Sequence, residues 1–257
     1  MSGILMPYVG IGGFNTITPN QIPGLNLWYD AALANATNFD PVPADTGAVT
    51  AWKDKQATGR DANQASGTRK PTWHANQSGG YGAILFDGSN DVLTLNPIDW
   101  ALSLAGQTTY IVVKANALTG TPRVTQTNTG GYQFFWDTYW GIETASGRAK
   151  SASAGNTTSY QYMGMIFDGS KTDANTTTQN NLRLQMRING VLQTLTFSAN
   201  VGTATAGSAT GLFVGGDSQP PSNPFSGYIA EMMIWTRTLS ATEITSVENY
   251  LSNKWAI

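Results

Sequence analysis

Few side chains in this 257-residue chain can do chemistry, and their spacing narrows what they can do. Asp87, Asn90 and Asp91 stand within five residues, in the segment DGSND. Three hard oxygen donors so close together suit Ca²⁺, and they suit an Asx-type turn between two strands equally well. Trp136, Tyr139 and Trp140 cluster in YQFFWDTYW. On one alternating strand Trp136 and Trp140 would share a face and Tyr139 would take the other. Aromatic rings stack on the apolar faces of sugars, so this triplet is the candidate glycan platform, with core packing as the other use of the same residues. Retaining glycosidic cleavage needs two carboxyl groups about 5–5.5 Å apart, which alternate strand positions supply. Glu231 has Met233 and Trp235 beside it, and Asp137 and Glu143 are six residues apart, so neither provides that pair. His74, the sole histidine, adjoins Trp73 and reads as a packed or surface imidazole. No catalytic residue is assigned, and a non-enzymatic protein is expected.

Short strands must position these residues. Thr108 to Lys114 (TTYIVVK) is continuously apolar, which predicts a strand buried on both faces. Tyr132 to Trp140 and Tyr160 to Asp168 read as further strands, and Gly211 to Gly215 and Tyr228 to Trp235 as the last two. In Leu182 to Phe197, Leu182, Leu184, Met186 and Ile188 alternate with polar residues, Asn189-Gly190 makes a type I′ turn, and Val191, Leu195 and Phe197 return. Ser240 and Glu243 form a capping box, after which Ile244, Val247, Leu251 and Trp255 fall at helical spacing. This predicts one helix near Ser240 to Ser252 lying against a sheet. Ten or more short strands with no βαβ rhythm mean an antiparallel sandwich or jelly roll.

Composition excludes several function classes. Hydrophobic residues are 40%, enough for a core, while charged residues are 12%, about half of the usual share of roughly 25%. The polar, weakly ionic surface suits a chain that stands in an assembly or outside a cell. With net charge −2 and no basic run beyond Arg69-Lys70, nucleic acid is not an expected partner. There is no cysteine for a disulfide or thiolate metal site, and no apolar run approaches a membrane span. The start, MSGILMPYVGIGGF, lacks the basic region and cleavage site of a signal peptide, so departure from a cell by lysis or inside a larger particle is expected. Residues 1–21 carry no charge, and Ile4, Leu5, Met6, Tyr8, Val9, Ile11 and Phe14 are too interrupted by glycine for a stable helix. They read as a frayed terminus or as an assembly arm, and the arm is favoured. Residues 22–257 then form one domain.

Four pieces in order carry a family resemblance. They are IPGLNLWYDAA with WKDKQATGRDANQ, then ILFDGSNDVLTL, then RINGVLQT, and finally FSGYIAEMMIW followed by LSATEI and YLSNKW. From about Ile22 onward the chain resembles laminin-G-like, concanavalin A-like lectin/glucanase jelly-roll domains. Gln56-Ala57-Thr58 stands where that family has "SGN". The resemblance implies an all-β, two-sheet antiparallel jelly-roll sandwich with a short C-terminal helix. Such domains carry Ca²⁺ at a sandwich rim in some members, which implies Asp87, Asn90 and Asp91 here. The laminarinase-type acidic strand motif of the family's glucanases is absent. The opening and the YLSNKW ending are similar to versions in bacteriophage structural proteins and bacterial surface proteins. That likeness implies a non-enzymatic virion structural protein at the virion surface, as capsid decoration, head fibre or tail attachment. Its N-terminal arm would anchor it, with other virion proteins, copies of itself and a cell-surface glycan as partners. A soluble lectin-like carbohydrate-binding module is the alternative, and a glycoside hydrolase of the same fold the third reading.

Overall fold

β-Branched and aromatic residues at alternate positions put much of the chain into short strands. The computed structural model describes residues 17–257 apart from 57, 97–104, 117–119, 129–131, 138, 145–147, 152–158, 172–182, 199–200 and 203–210. The chain opens with β1 (Leu25–Asp30), β2 (Ala51–Trp52), β3 (Ala62–Asn63), β4 (Thr72–Ser78), β5 (Tyr81–Asp87) and β6 (Leu93–Leu95). Its middle holds β7 (Gly106–Ala115), β8 (Arg123–Thr127), β9 (Tyr132–Asp137), β10 (Tyr139–Thr144), β11 (Arg148–Ser151) and β12 (Gln161–Asp168). The last strands are β13 (Leu184–Ile188), β14 (Val191–Leu192), β15 (Leu195–Phe197), β16 (Leu212–Val214) and β17 (Ser226–Trp235), and α1 (Ala241–Trp255) closes the chain.

Two antiparallel sheets result. The first runs β14-β13-β12-β7-β17-β5-β4, with β1 also paired to β17, and the second runs β15-β11-β10-β9-β8-β16-β6-β3-β2. This is the jelly-roll sandwich expected from the strand series. Between the sheets, Ile111, Val113, Met163, Met165, Met232 and Ile234 of the first meet Phe134, Trp140, Ile142 and Leu212 of the second. Outward side chains of the first sheet (Tyr110, Val112, Tyr162, Met233 and Trp235) lie under Val247, Leu251 and Trp255 of α1. Strand β7 is therefore buried on both faces, as its unbroken apolar run predicts. Strand β17 is the common partner, with β7 along one edge and β5 then β1 along the other. A register shift between Ile229 and Glu231 puts Ala230 and Glu231 both on the helix side, so that Ile229 and Met232, three apart, both face the sandwich core.

Two expected elements differ. Tyr132 to Trp140 is not one strand but the hairpin β9–β10, with Trp136 and Trp140 as cross-strand partners. The Asn189-Gly190 turn forms with both residues at positive φ (47° and 77°), yet its return strand divides. Val191 and Leu192 pair with β13, whereas Leu195 to Phe197 cross to the other sheet and pair with β11. Crossing buries Leu195 and Phe197 in the core, and only the short exposed pair is left at the edge of the first sheet.

The helix ends as its sequence dictates. Ser240 Oγ accepts from the Glu243 amide at 3.4 Å, and Glu243 Oε2 accepts from the Ser240 amide at 2.8 Å. Arg237 adds two bonds to the same carboxylate (2.9 and 2.5 Å), which hold Glu243 down at a pKa of about 2. Trp255, at the other end, has no exposed surface. Replacing Ser240 with Ala removes one cap bond and should lower stability by about 1 kcal/mol. Trp255→Ala should lower it by about 3–5 kcal/mol, since it empties a core site. Urea denaturation of the two variants beside the parent checks this, and equal midpoints for all three would contradict it.

Candidate functional site

The DGSND segment builds a turn out of its own acids. Asp87 Oδ1 accepts from the amides of Ser89, Asn90 and Asp91 at 2.8, 3.2 and 3.4 Å, and Asp91 Oδ2 accepts from the Asp87 amide at 2.9 Å. This is an Asx-type turn closed in both directions. Calcium needs six to eight oxygens converging on a point. Here backbone N–H groups surround the carboxylate of Asp87, Asp91 is buried, and no group of three or more acidic or imidazole side chains suited to a metal occurs among the described residues. Asp87 and Asp91 are thus used by the turn itself. Burial pushes the Asp91 carboxyl up to about 6, the Asp87 amide opposing and the Asp87 charge adding.

Of the aromatic triplet, Trp140 is not open to a sugar. Trp140 is 1% exposed, sits in the sandwich core, and donates its indole N–H to Gln161 Oε1 at 3.1 Å. A ring enclosed on both faces has none left for a sugar, which corrects the stacking role expected of it. Tyr139 is half-buried at the start of β10, and the side chain of Trp136 lies outside the described residues. The arm residues Ile4, Leu5, Met6, Tyr8, Val9, Ile11 and Phe14 also lie outside them. His74 is half-buried, its Nε2 2.9 Å from Thr72 Oγ1.

The carboxylate pair that sequence spacing missed lies across strands rather than along one. Asp30 of β1 is the register partner of Glu231 of β17. Like charges placed opposite each other in a sheet repel, and Lys254 of α1 resolves this by standing 2.9 Å from Asp30 Oδ1 and 2.9 Å from Glu231 Oε2. Lys55 holds the other oxygen of Asp30 at 2.7 Å. Glu231 has no exposed surface and is saturated with donors. Oε1 accepts from Trp28 Nε1 (2.7 Å) and the Tyr250 hydroxyl (2.9 Å), and Oε2 from Trp255 Nε1 (2.6 Å) as well as Lys254. Burial raises the Glu231 pKa against the pull of Lys254. Burial would also lower Lys254, but the charges of Glu231 and Asp30 override it and keep the ammonium above its ordinary range. For Asp30, the two lysines outweigh desolvation and hold the carboxyl below its usual value.

Beside this network a cleft of about 310 Å³ opens, lined by Thr18, Tyr81, Tyr250, Asn253 and Lys254. Tyr81 is set edge-on to Trp255, with ring centroids 5.7 Å apart. The Lys254 ammonium lies 5.4 Å from the Tyr250 ring centre and 6.0 Å from that of Tyr81. Two half-buried phenol rings, an exposed amide and a hydroxyl thus border a cation whose charge two carboxylates already share. The YLSNKW ending held the signal. Tyr250 and Lys254 are four residues apart, which places them on one helix face.

A two-sheet sandwich with one face of a sheet lidded by a C-terminal helix defines the class. The family model described as the concanavalin A-like lectin/glucanases superfamily matches residues 87–245. That is more than half of the chain, and the protein belongs to this superfamily. Among solved structures, the Trypanosoma rangeli sialidase in complex with sialic acid is similar, with TM-score 0.58 and 12% identity over 90% of this chain and 35% of the sialidase. This chain therefore spans about a third of that enzyme. Domain 4 of AbnA, an extracellular arabinanase from Geobacillus stearothermophilus solved in complex with arabinotriose, gives TM-score 0.54 at 14% identity, over 87% of this chain and 100% of that domain. Identities this low establish a shared fold. No curated protein sequence matches.

The buried Asp91 carboxyl gives a pH signature. Below its ordinary value of 3.8 it is protonated in both folded and unfolded chains, so it has no effect there. Between that value and about 6 the unfolded chain ionises it while the folded chain resists, so stability falls as pH rises through this interval. Asp91→Asn keeps an oxygen for the Asp87 amide and removes the titration. The parent should lose stability relative to this variant from pH 4 to pH 6.5, as read from urea midpoints. Parallel profiles would place the carboxylate in water.

Proposed function

We propose that this protein is a non-catalytic carbohydrate-binding module and that the cleft between β5 and the end of α1 takes a neutral sugar. The observation that carries the reading is the pairing of Tyr81 and Tyr250 with Asn253 and Thr18 around an open cleft. Phenol rings offer apolar faces to a pyranose or furanose ring, while an amide and a hydroxyl read its hydroxyl groups. The volume lies at the small end of the range of roughly 300–1,000 Å³ typical of ligand sites. Neutral ligands are favoured because Asp30 and Glu231 share the charge of Lys254. The arabinotriose complex of the similar arabinanase domain supports the same class of ligand.

The acid pair supports the non-catalytic reading. Asp30 and Glu231 are bridged by a lysine and Glu231 is wholly enclosed, so they do not meet a substrate as a general acid and a nucleophile would. Glu143, another acid considered from the sequence, is paired with Arg148 at 2.9 Å.

We further propose that the module stands on a virion surface, held to other virion proteins by residues 1–21. The support is the uncharged, apolar, glycine-rich sequence of that segment and the resemblance of the chain's two ends to bacteriophage structural proteins. Packing begins just inside the segment, where Pro19 is buried and the Ile22 carbonyl accepts from the Trp235 indole at 3.3 Å. Removing residues 1–16 should leave the melting temperature within a degree or two while abolishing incorporation into particles. A truncated chain that still incorporates at normal occupancy would end this part of the proposal.

Isothermal titration with neutral oligosaccharides tests the cleft. Tyr81→Ala should weaken binding by about tenfold, the scale of one lost stacking contact, and release no reducing sugar in either form. Unchanged affinity would move the site elsewhere, and release of reducing sugar would make the protein an enzyme.

A further inference from the structure

A second aromatic surface lies on the outer face of the first sheet, where the cluster beneath α1 ends. Tyr160 and Tyr228 form the margin of that cluster. Tyr228 of β17 is the register partner of Lys114 on β7 and of Leu85 on β5. Leu85 in turn pairs with Thr72 of β4, two residues before His74. Tyr160 immediately precedes β12, whose first residue, Gln161, pairs with Val113. Separate strands thus bring His74, Tyr228, Lys114 and Tyr160 into one row across the sheet. The rings of His74 and Tyr228 meet edge to face at 5.8 Å, and those of Tyr228 and Tyr160 lie 6.2 Å apart, tilted by 51°. All four side chains are half-buried.

Lys114 sets the character of this surface. Its ammonium lies 5.5 Å from the centre of the Tyr228 ring and 5.7 Å from that of Tyr160. The π faces hold the cation in place without neutralising it. Lys55 and Lys254 have carboxylates within 3 Å, but among the described residues Lys114 has none within ion-pair distance. The Tyr160 hydroxyl is buried with no hydrogen-bond partner. One fixed, unneutralised cation set among flat rings matches a ligand that joins an apolar ring face to a single negative group. A phosphate chain would require a stripe of cations instead.

We propose that the Tyr160–Lys114–Tyr228–His74 row binds a carboxylate-bearing sugar, its ring lying on Tyr228 and its carboxylate on the Lys114 ammonium. The site is independent of the cleft at Tyr81, whose charge is balanced and which is assigned neutral ligands. His74 Nε2 is committed to Thr72. The sheet supplies the rigidity, since the five paired strands β4-β5-β17-β7-β12 fix the spacing between the rings and the cation.

The test is titration of the full chain with oligogalacturonate and with its methyl ester, in which each carboxylate is an uncharged ester. Binding of the acid should exceed that of the ester by about tenfold or more, the scale of one charge-assisted hydrogen bond, and should weaken with added salt. Lys114→Gln should remove the preference and Lys114→Arg should retain it. Melting curves of each variant separate lost binding from lost fold. Equal binding of acid and ester, failure of both to bind, or an unaltered preference in Lys114→Gln would each overturn the proposal. Failure of the neutral cleft alone would leave this site standing.

Discussion

A carboxylate enclosed in protein is tolerable only when its oxygens are met by donors, because desolvating a bare charge is far costlier than any one packing contact. Glu231 is the point in this molecule where that constraint acts. Its four donors come from β1 and from three positions on α1. Everything that satisfies it must be in place together, so the helix, the first strand and the central strand form one unit. The cleft beside Tyr81 follows from the same demand. Lys254 is drawn inward to Asp30 and Glu231, and the rings it passes become the cleft wall.

Much of the fold was legible in the sequence. The capping box at Ser240 and Glu243, the type I′ turn at Asn189-Gly190 and the apolar run of β7 are local rules, and each forms as its residues dictate. What could not be read was pairing. Asp30 and Glu231 are some two hundred residues apart, and only the β1–β17 register makes them neighbours. The same holds for Tyr228 and Lys114. Sequence periodicity reports which face a residue takes within its own strand, but it is silent on which strand comes alongside.

The aromatic residues show the converse limit. Density of tryptophan at positions 136 and 140 looked like a surface for sugars, yet Trp140 fills the sandwich core. Large rings bury the most area and so go to the interior first. The proposed binding surfaces are made instead of tyrosines at the borders of α1, whose hydroxyls make complete burial unfavourable unless they are paired. Tyr250 meets that requirement inward through Glu231, whereas Tyr160 leaves it open.

The Asp30–Lys254–Glu231 cluster also fixes how the domain carries force. β1 and α1 stand at opposite ends of the described chain, yet Lys254 joins them directly and both rest on β17. Tension applied between residues near 22 and near 255 therefore runs through this one short path and bypasses most of both sheets. Strand β1 lies antiparallel along β17, so such a pull shears their hydrogen bonds together rather than unzipping them singly. A domain tethered at one end and gripped by a ligand near the other would hold as a clasp.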